Sequence, residues 1–139
     1  MTNSVTQLYE DGLKRYDAGE KPETLIPDFK KICDRAPKNA SVWTSLSWLY
    51  LLAGKPNAAF KAAQKSVKLD SSAPQAKVNL AVAMLTLDKK GIRGHIESVQ
   101  QIIGLDQEIR DNVFENIEDG LTRKPNWKEL ERVKKWLET

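Results

Sequence analysis

The chain has 139 residues, with 22 Lys+Arg against 19 Asp+Glu, a net charge of +3 and 40% hydrophobic residues. That is one domain's worth of chain with enough apolar content for a core, and its charge balance fits neither a disordered chain nor a strongly basic nucleic-acid binder. Cys33 is the single cysteine, which excludes an intrachain disulfide, a cysteine-built zinc cluster and a CxxC redox pair. A reducing, cytoplasmic setting is therefore expected. The unbroken apolar run 48–53, which no other run exceeds, falls far short of the ~20 residues of a membrane-spanning helix. Acids spread through residues 1–20 argue against a signal peptide.

Along the chain a fixed period appears. Tyr9 and Trp43, Tyr16 and Tyr50, Pro22 and Pro56, and Leu25 and Ala59 are each 34 residues apart, and the same step carries Leu46 to Leu80 and Leu51 to Leu85. The first unit, 6–39, contains Tyr9, Leu13, Tyr16, Leu25, Phe29, Ile32 and Pro37. The second, 40–73, runs Trp43-x-x-Leu46-Ser47-x-x-Tyr50, then Gly54, Pro56, Ala58-Ala59, Ala62-Ala63 and Leu69-Asp70. The third, 74–105, starts at Pro74 with Leu80, Ala81 and Met84 in register, but Leu105-Asp106 follows Leu69-Asp70 by 36 residues. A two-residue insertion is therefore predicted, and the glycine- and charge-rich stretch 88–94 is its natural place, with a helix through Ile96, Val99, Gln100 and Ile103 after it. Residues 106–139 read as two amphipathic helices. Ile109, Val113, Phe114 and Ile117 lead to Gly120 as a C-cap, Asn126 with Glu129 forms a capping box, and Trp127, Leu130, Val133 and Leu137 make one apolar stripe.

The order Trp43, Leu46, Tyr50, Ala59, Ala63 resembles the tetratricopeptide repeat, whose pattern W-x2-L-G-x2-Y, A-x3-F, P is a known signature. Departures stand at Gly12, where Leu is usual, at Ser47 for Gly, at Ala63 for Phe and at Ser71 for Pro. The resemblance implies an all-α fold: a right-handed α-solenoid of about three helix pairs, closed by a capping pair over 106–139 with a polar outer face. It further implies that the first helix of each pair lines a concave groove, placing Gln7, Glu10, Lys14, Asp17, Ser41, Thr44, Ser45, Trp48, Leu51, Leu52, Gln75, Val78, Asn79, Val82, Leu85 and Thr86 there. Trp43 and Tyr50 already supply the packing aromatics. Trp48 is thus expected to be spare, with Leu52, Val82 and Leu85 beside it, and to anchor a partner. The competing expectation has the C-terminal helices filling the groove and burying Trp48 with Trp127 or Trp136.

Catalytic chemistry lacks its parts. His95 is the only histidine, so no triad, HExxH helix or first-row metal site can be assembled around it; it reads as a helix-start residue, and Cys33 as a buried structural thiol. Asp106 with Glu108 and Glu118 with Asp119 read as surface and helix-start charge. Gly91-x-x-Gly94 beside Lys89, Lys90 and Arg93 is too short for a phosphate loop and reads as a turn. Lys61, Lys65 and Lys68 line one face of the second unit's second helix as a solvated stripe. No cofactor, metal or small-molecule substrate is expected.

Charge is uneven: residues 1–39 balance, whereas 40–105 carry a net +5, a field suited to an acidic partner surface. Aromatics fall at packing positions rather than among the basic residues, so RNA is the weaker reading. Tetratricopeptide clamps for heat-shock chaperone tails use Lys, Asn, Asn, Lys and Arg; at the matching places stand Glu10, Lys14, Ser45, Gln75 and Asn79, so that tail is not an expected ligand. The function expected is a non-catalytic protein-interaction module, an adaptor or assembly factor. It would take a peptide or amphipathic helix in an apolar groove with a basic rim, through Lys14, Thr44, Trp48, Leu51, Leu52, Val78, Asn79, Val82 and Leu85. Alternatives are a structural subunit or homo-oligomer, and an RNA-associated factor. The stretches 36–43 and 47–54 are also similar to short tetratricopeptide proteins of cyanobacteria and plastids, which implies a role in assembling a larger complex.

Overall fold

The computed structural model describes residues 4–139. Among the described residues there are eight helices and no strand: α1 (Val5–Asp17), α2 (Pro22–Arg35), α3 (Ala40–Leu52), α4 (Pro56–Leu69), α5 (Pro74–Thr86), α6 (Ile92–Leu105), α7 (Gln107–Arg123) and α8 (Lys128–Glu138). The starts are set locally. Ser4 Oγ accepts from the Gln7 N–H at 3.1 Å, Asn39 Oδ1 from Val42 at 3.3 Å, and Asp106 Oδ1 from Glu108 and Ile109 at 3.0 and 3.2 Å, each satisfying a helix-end donor. Pro22, Pro56 and Pro74 open α2, α4 and α5, where a missing N–H costs nothing.

The turns repeat with the 34-residue period. After α3, Gly54 N–H donates to Leu51 and Lys55 N–H to Tyr50; after α5, Asp88 and Lys89 donate in the same way to Leu85 and Met84, the Schellman arrangement. It requires a left-handed residue, supplied by Gly54 at φ 72° and by Asp88 at φ 56°, aspartate being among the few residues that tolerate this region. The α3–α4 turn spans 53–55 and the α5–α6 turn 87–91, so the extra two residues lie in the turn where the spacing placed them.

Consecutive helices pack on one another from α1 through α6. In the first pair, a Cβ on Gly12 would stand 2.7 Å from Phe29 Cε1, so the glycine is what admits the Phe29 ring, which meets Tyr9 edge-on at 6.0 Å. Ala59, Ala62 and Ala63 are all buried, and their small size lets α4 lie close to its neighbours. Ser47 has a partner its position does not announce: Asn79, fully buried, donates to Ser47 Oγ at 3.0 Å and to the Thr44 carbonyl at 3.1 Å while accepting from Gln75 at 2.8 Å. A buried amide with all its bonds made fixes the register of α5 on α3.

The C-terminal pair departs from a simple end cap. α8 packs on α5, α6 and α7 with Trp127, Leu130, Val133 and Leu137 buried, as the stripe predicts. Two local expectations are corrected. Gly120 does not end α7, which continues to Arg123; it is buried within the helix. Asn126 caps nothing: it holds φ 64°, and the residue before α8 is Trp127, whose side chain makes no capping bond. No helix among the described residues is long and apolar enough to cross a membrane.

Candidate functional site

The concave face is built by α1, α3 and α5, and α7 runs across it. Trp48 is the pivot. Its indole ring meets that of Trp127 at 5.5 Å between centroids and 37° between planes. A Cβ on Gly120 would stand 2.6 Å from two atoms of the Trp48 ring and 2.9 Å from Leu130 Cδ2, so the glycine is the notch that seats the indole. Trp48 Nε1 donates to the Tyr16 hydroxyl at 2.9 Å, and that hydroxyl donates to Asp119. Arg123 holds both Asp119 oxygens from its Nε at 3.0 Å, donates to the Tyr16 carbonyl at 3.1 Å and lies 3.7 Å over the Tyr16 ring. Burial and the Asp119 carboxylate keep the Tyr16 phenol neutral by raising its pKa. Lys124 donates to the Leu51 carbonyl at 3.3 Å, and Asn116 to Gln75 Oε1 at 3.1 Å. α7 is thereby tied to α1, α3 and α5.

This corrects the open-groove expectation. Trp48 is not spare, because the chain's own C-terminal helices pack on it and leave only part of the ring open to the recess. Leu51, Val78 and Val82 are buried in the interior, where no partner reaches them while α7 and α8 are seated; Asn79 is buried too but, with Thr44 and Trp48, lines the recess that α7 leaves open. Leu52 and Leu85 are half-buried near the ends of α3 and α5, Lys14 is exposed on α1, and Thr44 is half-buried, its hydroxyl bonded to the Ala40 carbonyl at 3.0 Å and to Ser66. Asp119, read from sequence as surface charge, proves to be the hub of the closure; its only sequence signal is Arg123 one helical turn later.

What remains of the groove is a half-open recess of about 150 Å³. Phe29, Leu49 and one edge of Trp48 form its apolar floor. Leu13, 37% exposed, overhangs it. Ser45, Gln75 and Asn116 supply bonding groups at its rim, where Tyr9 Oη and Ser45 Oγ are 2.7 Å apart. A second cleft lies on the other side of α3, between α2 and α4, and holds about 350 Å³.

The other singled-out residues take quieter places. His95 lies within the first turns of α6, half-buried, its pKa lowered by burial and then by Lys77. Cys33 is 1% exposed, and burial foremost pushes its thiol up to about 12. Of the 88–94 stretch, 88–91 form the turn, where Lys89 sits 4.5 Å over the Phe60 ring, while 92–94 already begin α6, where Arg93 pairs with Glu97. Among the described residues no group of three potential metal ligands comes together.

The sequence matches no family model, and no characterised protein matches it. Solved structures do. A chain of a T3SS complex from Aeromonas hydrophila aligns with a TM-score of 0.69 at 21% identity, over 91% of this chain and 86% of that one. The first tetratricopeptide domain of Spaghetti (RPAP3), bound to the HSP90 peptide SRMEEVD, gives 0.66 at 22%, over 80% and 90%. PcrH in complex with the chaperone binding region of PopD gives 0.68 at 19%, over 86% and 92%. Helix pairs at a 34-residue step, recurring turn geometry and these alignments agree: the fold of this chain is that of a tetratricopeptide-repeat solenoid.

Proposed function

We propose that the chain is a non-catalytic interaction module that holds a segment of a partner protein on its concave face, in the recess left beside α7. The observation that carries this reading is the recess itself. Its apolar floor of Phe29 and Leu49 lies under a partly exposed Leu13 and is ringed by Ser45, Gln75 and Asn116. A volume of about 150 Å³ suits one aromatic or branched side chain, about what a benzene-sized guest fills. The partner would therefore insert one apolar side chain and bond to the rim with its backbone. Two of the structural neighbours were solved with a bound peptide or binding region, which supports peptide capture as the use of such a surface.

The preferred biological form is chaperone-like: an adaptor or assembly factor that keeps a partner's segment covered until it joins a larger complex. Glu10, Asp17 and Asp119 place carboxylates around the concave face, which disfavours the acidic chaperone tail as the guest. Filling the recess by Ser45→Trp, with thermal unfolding as the control for folding, tests the reading. A folded variant that loses a partner captured by the wild type from the native source supports it; a partner set that is unchanged refutes it.

A further inference from the structure

The second cleft lies on the opposite side of the repeats from the recess. α2 and α4 each pack on α3, and between them the α3 side chains Trp43, Leu46 and Tyr50 form a floor. The cleft stays open because α4 presents Ala58 and Ala62 there, side chains too short to reach across. Trp43 uses its N–H on the Pro37 carbonyl, 2.9 Å away, and keeps part of its ring in the cleft. Lys30 on one wall and Lys61 and Lys65 on the other stand over this apolar floor, against the single acid Asp34. Among the described residues none of the three lysines has an ion pair. The lysine stripe read from sequence as a solvated face therefore borders an apolar trough.

We infer that this outer cleft is a second docking surface, for an acidic amphipathic helix of a partner protein. The lining runs from Trp43 to Tyr50 on α3 and from Ala58 to Lys65 on α4, so the trough is about 10 Å long, the length of two helical turns. Lys61 and Lys65 lie one turn apart on α4, a spacing met by two carboxylates one turn apart on a facing helix. Trp43, Leu46 and Tyr50 require an apolar stripe between those acids. Net charge agrees, since residues 40–105 carry the positive field of the chain.

The test uses the full chain and a fluorescein-labelled synthetic helical peptide as long as α4, with a leucine stripe flanked by glutamates, read by anisotropy. A twin peptide carries lysine in place of glutamate. The wild type should bind the acidic peptide below about 100 µM, bind the lysine twin at least ~10-fold more weakly, and lose ~10-fold or more of its affinity in K61E/K65E and in A58F, with weakening as salt rises. K61A/K65A gives the same direction with a smaller loss if charge reversal harms folding. S45W, which fills the concave recess, should leave this binding unchanged, so the two surfaces are tested separately. No binding by the wild type overturns the proposal, as do equal binding of both peptides and indifference to K61E/K65E. Loss in S45W would place the peptide in the recess instead. Self-association, or binding of mixed single-stranded RNA, that disappears in K61E/K65E while the peptide does not bind would assign the cleft to a second copy or to nucleic acid.

Discussion

Two tryptophans five residues apart on α3 have opposite surroundings, and the difference teaches which side of a repeat is committed to the fold. Trp48 faces the concave side, seated in the Gly120 notch, stacked on Trp127 and hydrogen-bonded to Tyr16. Trp43 faces the outer side, packed on the core of Leu25, Phe29, Val42 and Leu46 with its N–H on the Pro37 carbonyl, and its ring borders an open cleft. Both rings are half-buried, but the signature aromatic packs within the first two repeats, whereas the extra one is held by helices from the far end of the chain.

Truncating the two residues separates these roles most sharply. Trp48→Ala removes a ring packed between α3, α7 and α8 and leaves the Tyr16 hydroxyl without its donor, so a loss of about 3–5 kcal/mol in urea unfolding is expected. A loss under ~1 kcal/mol would mean that α7 does not seal the concave face. Gly120→Ala approaches the same contact from the other side. The added methyl would sit 2.6 Å from the indole, and although alanine is the better helix former by about 1 kcal/mol, overpacking of this kind costs about 1–3 kcal/mol. Net destabilisation is expected because the neighbours, the Trp48 ring and Leu130, are core groups with little room to move; a more stable variant would show the notch to be slack.

The repeats themselves were legible because their determinants are local. Aromatics at helical spacing, alanines on α4 and a shift of two residues at Leu105 follow from helix geometry and turn length, and each lies within one unit of its cause. The closure was legible only as the competing expectation that set Trp48 against Trp127; its other contacts, Trp48 with Gly120 and Tyr16 with Asp119, were not, since they join residues more than half the chain apart. Gly120 reads from sequence as a helix end, when its missing side chain serves packing inside the last turn of α7. Asn126 reads as a cap, when its tolerance of positive φ serves the bend before Trp127. Trp43 at a signature position reads as fully used, and only the short side chains of Ala58 and Ala62 opposite it leave the cleft open.

A smaller effect probes the polar half of the closure. Tyr16→Phe keeps the ring under Arg123 but removes the hydroxyl that accepts from Trp48 Nε1 and donates to Asp119. A loss of about 1–2 kcal/mol is expected, accompanied by a shift of Trp48 fluorescence as its N–H loses its acceptor. If stability is unchanged, water replaces the hydroxyl and the closure rests on the indole packing alone.

The smallest effect is silent at neutral pH and tests the wall of the outer cleft. Cys33 borders that cleft yet is 1% exposed, and burial, with Asp34 nearby, raises its thiol pKa to about 12. An unfolded thiol ionises near ~8.5. Below that pH both states hold the proton and the cysteine adds no pH dependence. Above it the unfolded chain releases a proton that the folded chain retains, so the unfolded state is favoured and stability falls as pH rises from about 9 toward the folded pKa. The difference in unfolding free energy between wild type and Cys33→Ala should therefore be flat up to about pH 8 and shift against the wild type by pH 10, while a thiol reagent labels the native protein far more slowly than the urea-unfolded chain. Labelling as fast as a free thiol would show that water reaches the α2 wall, and the cleft would then be a loose edge of the core rather than a firm trough laid over it.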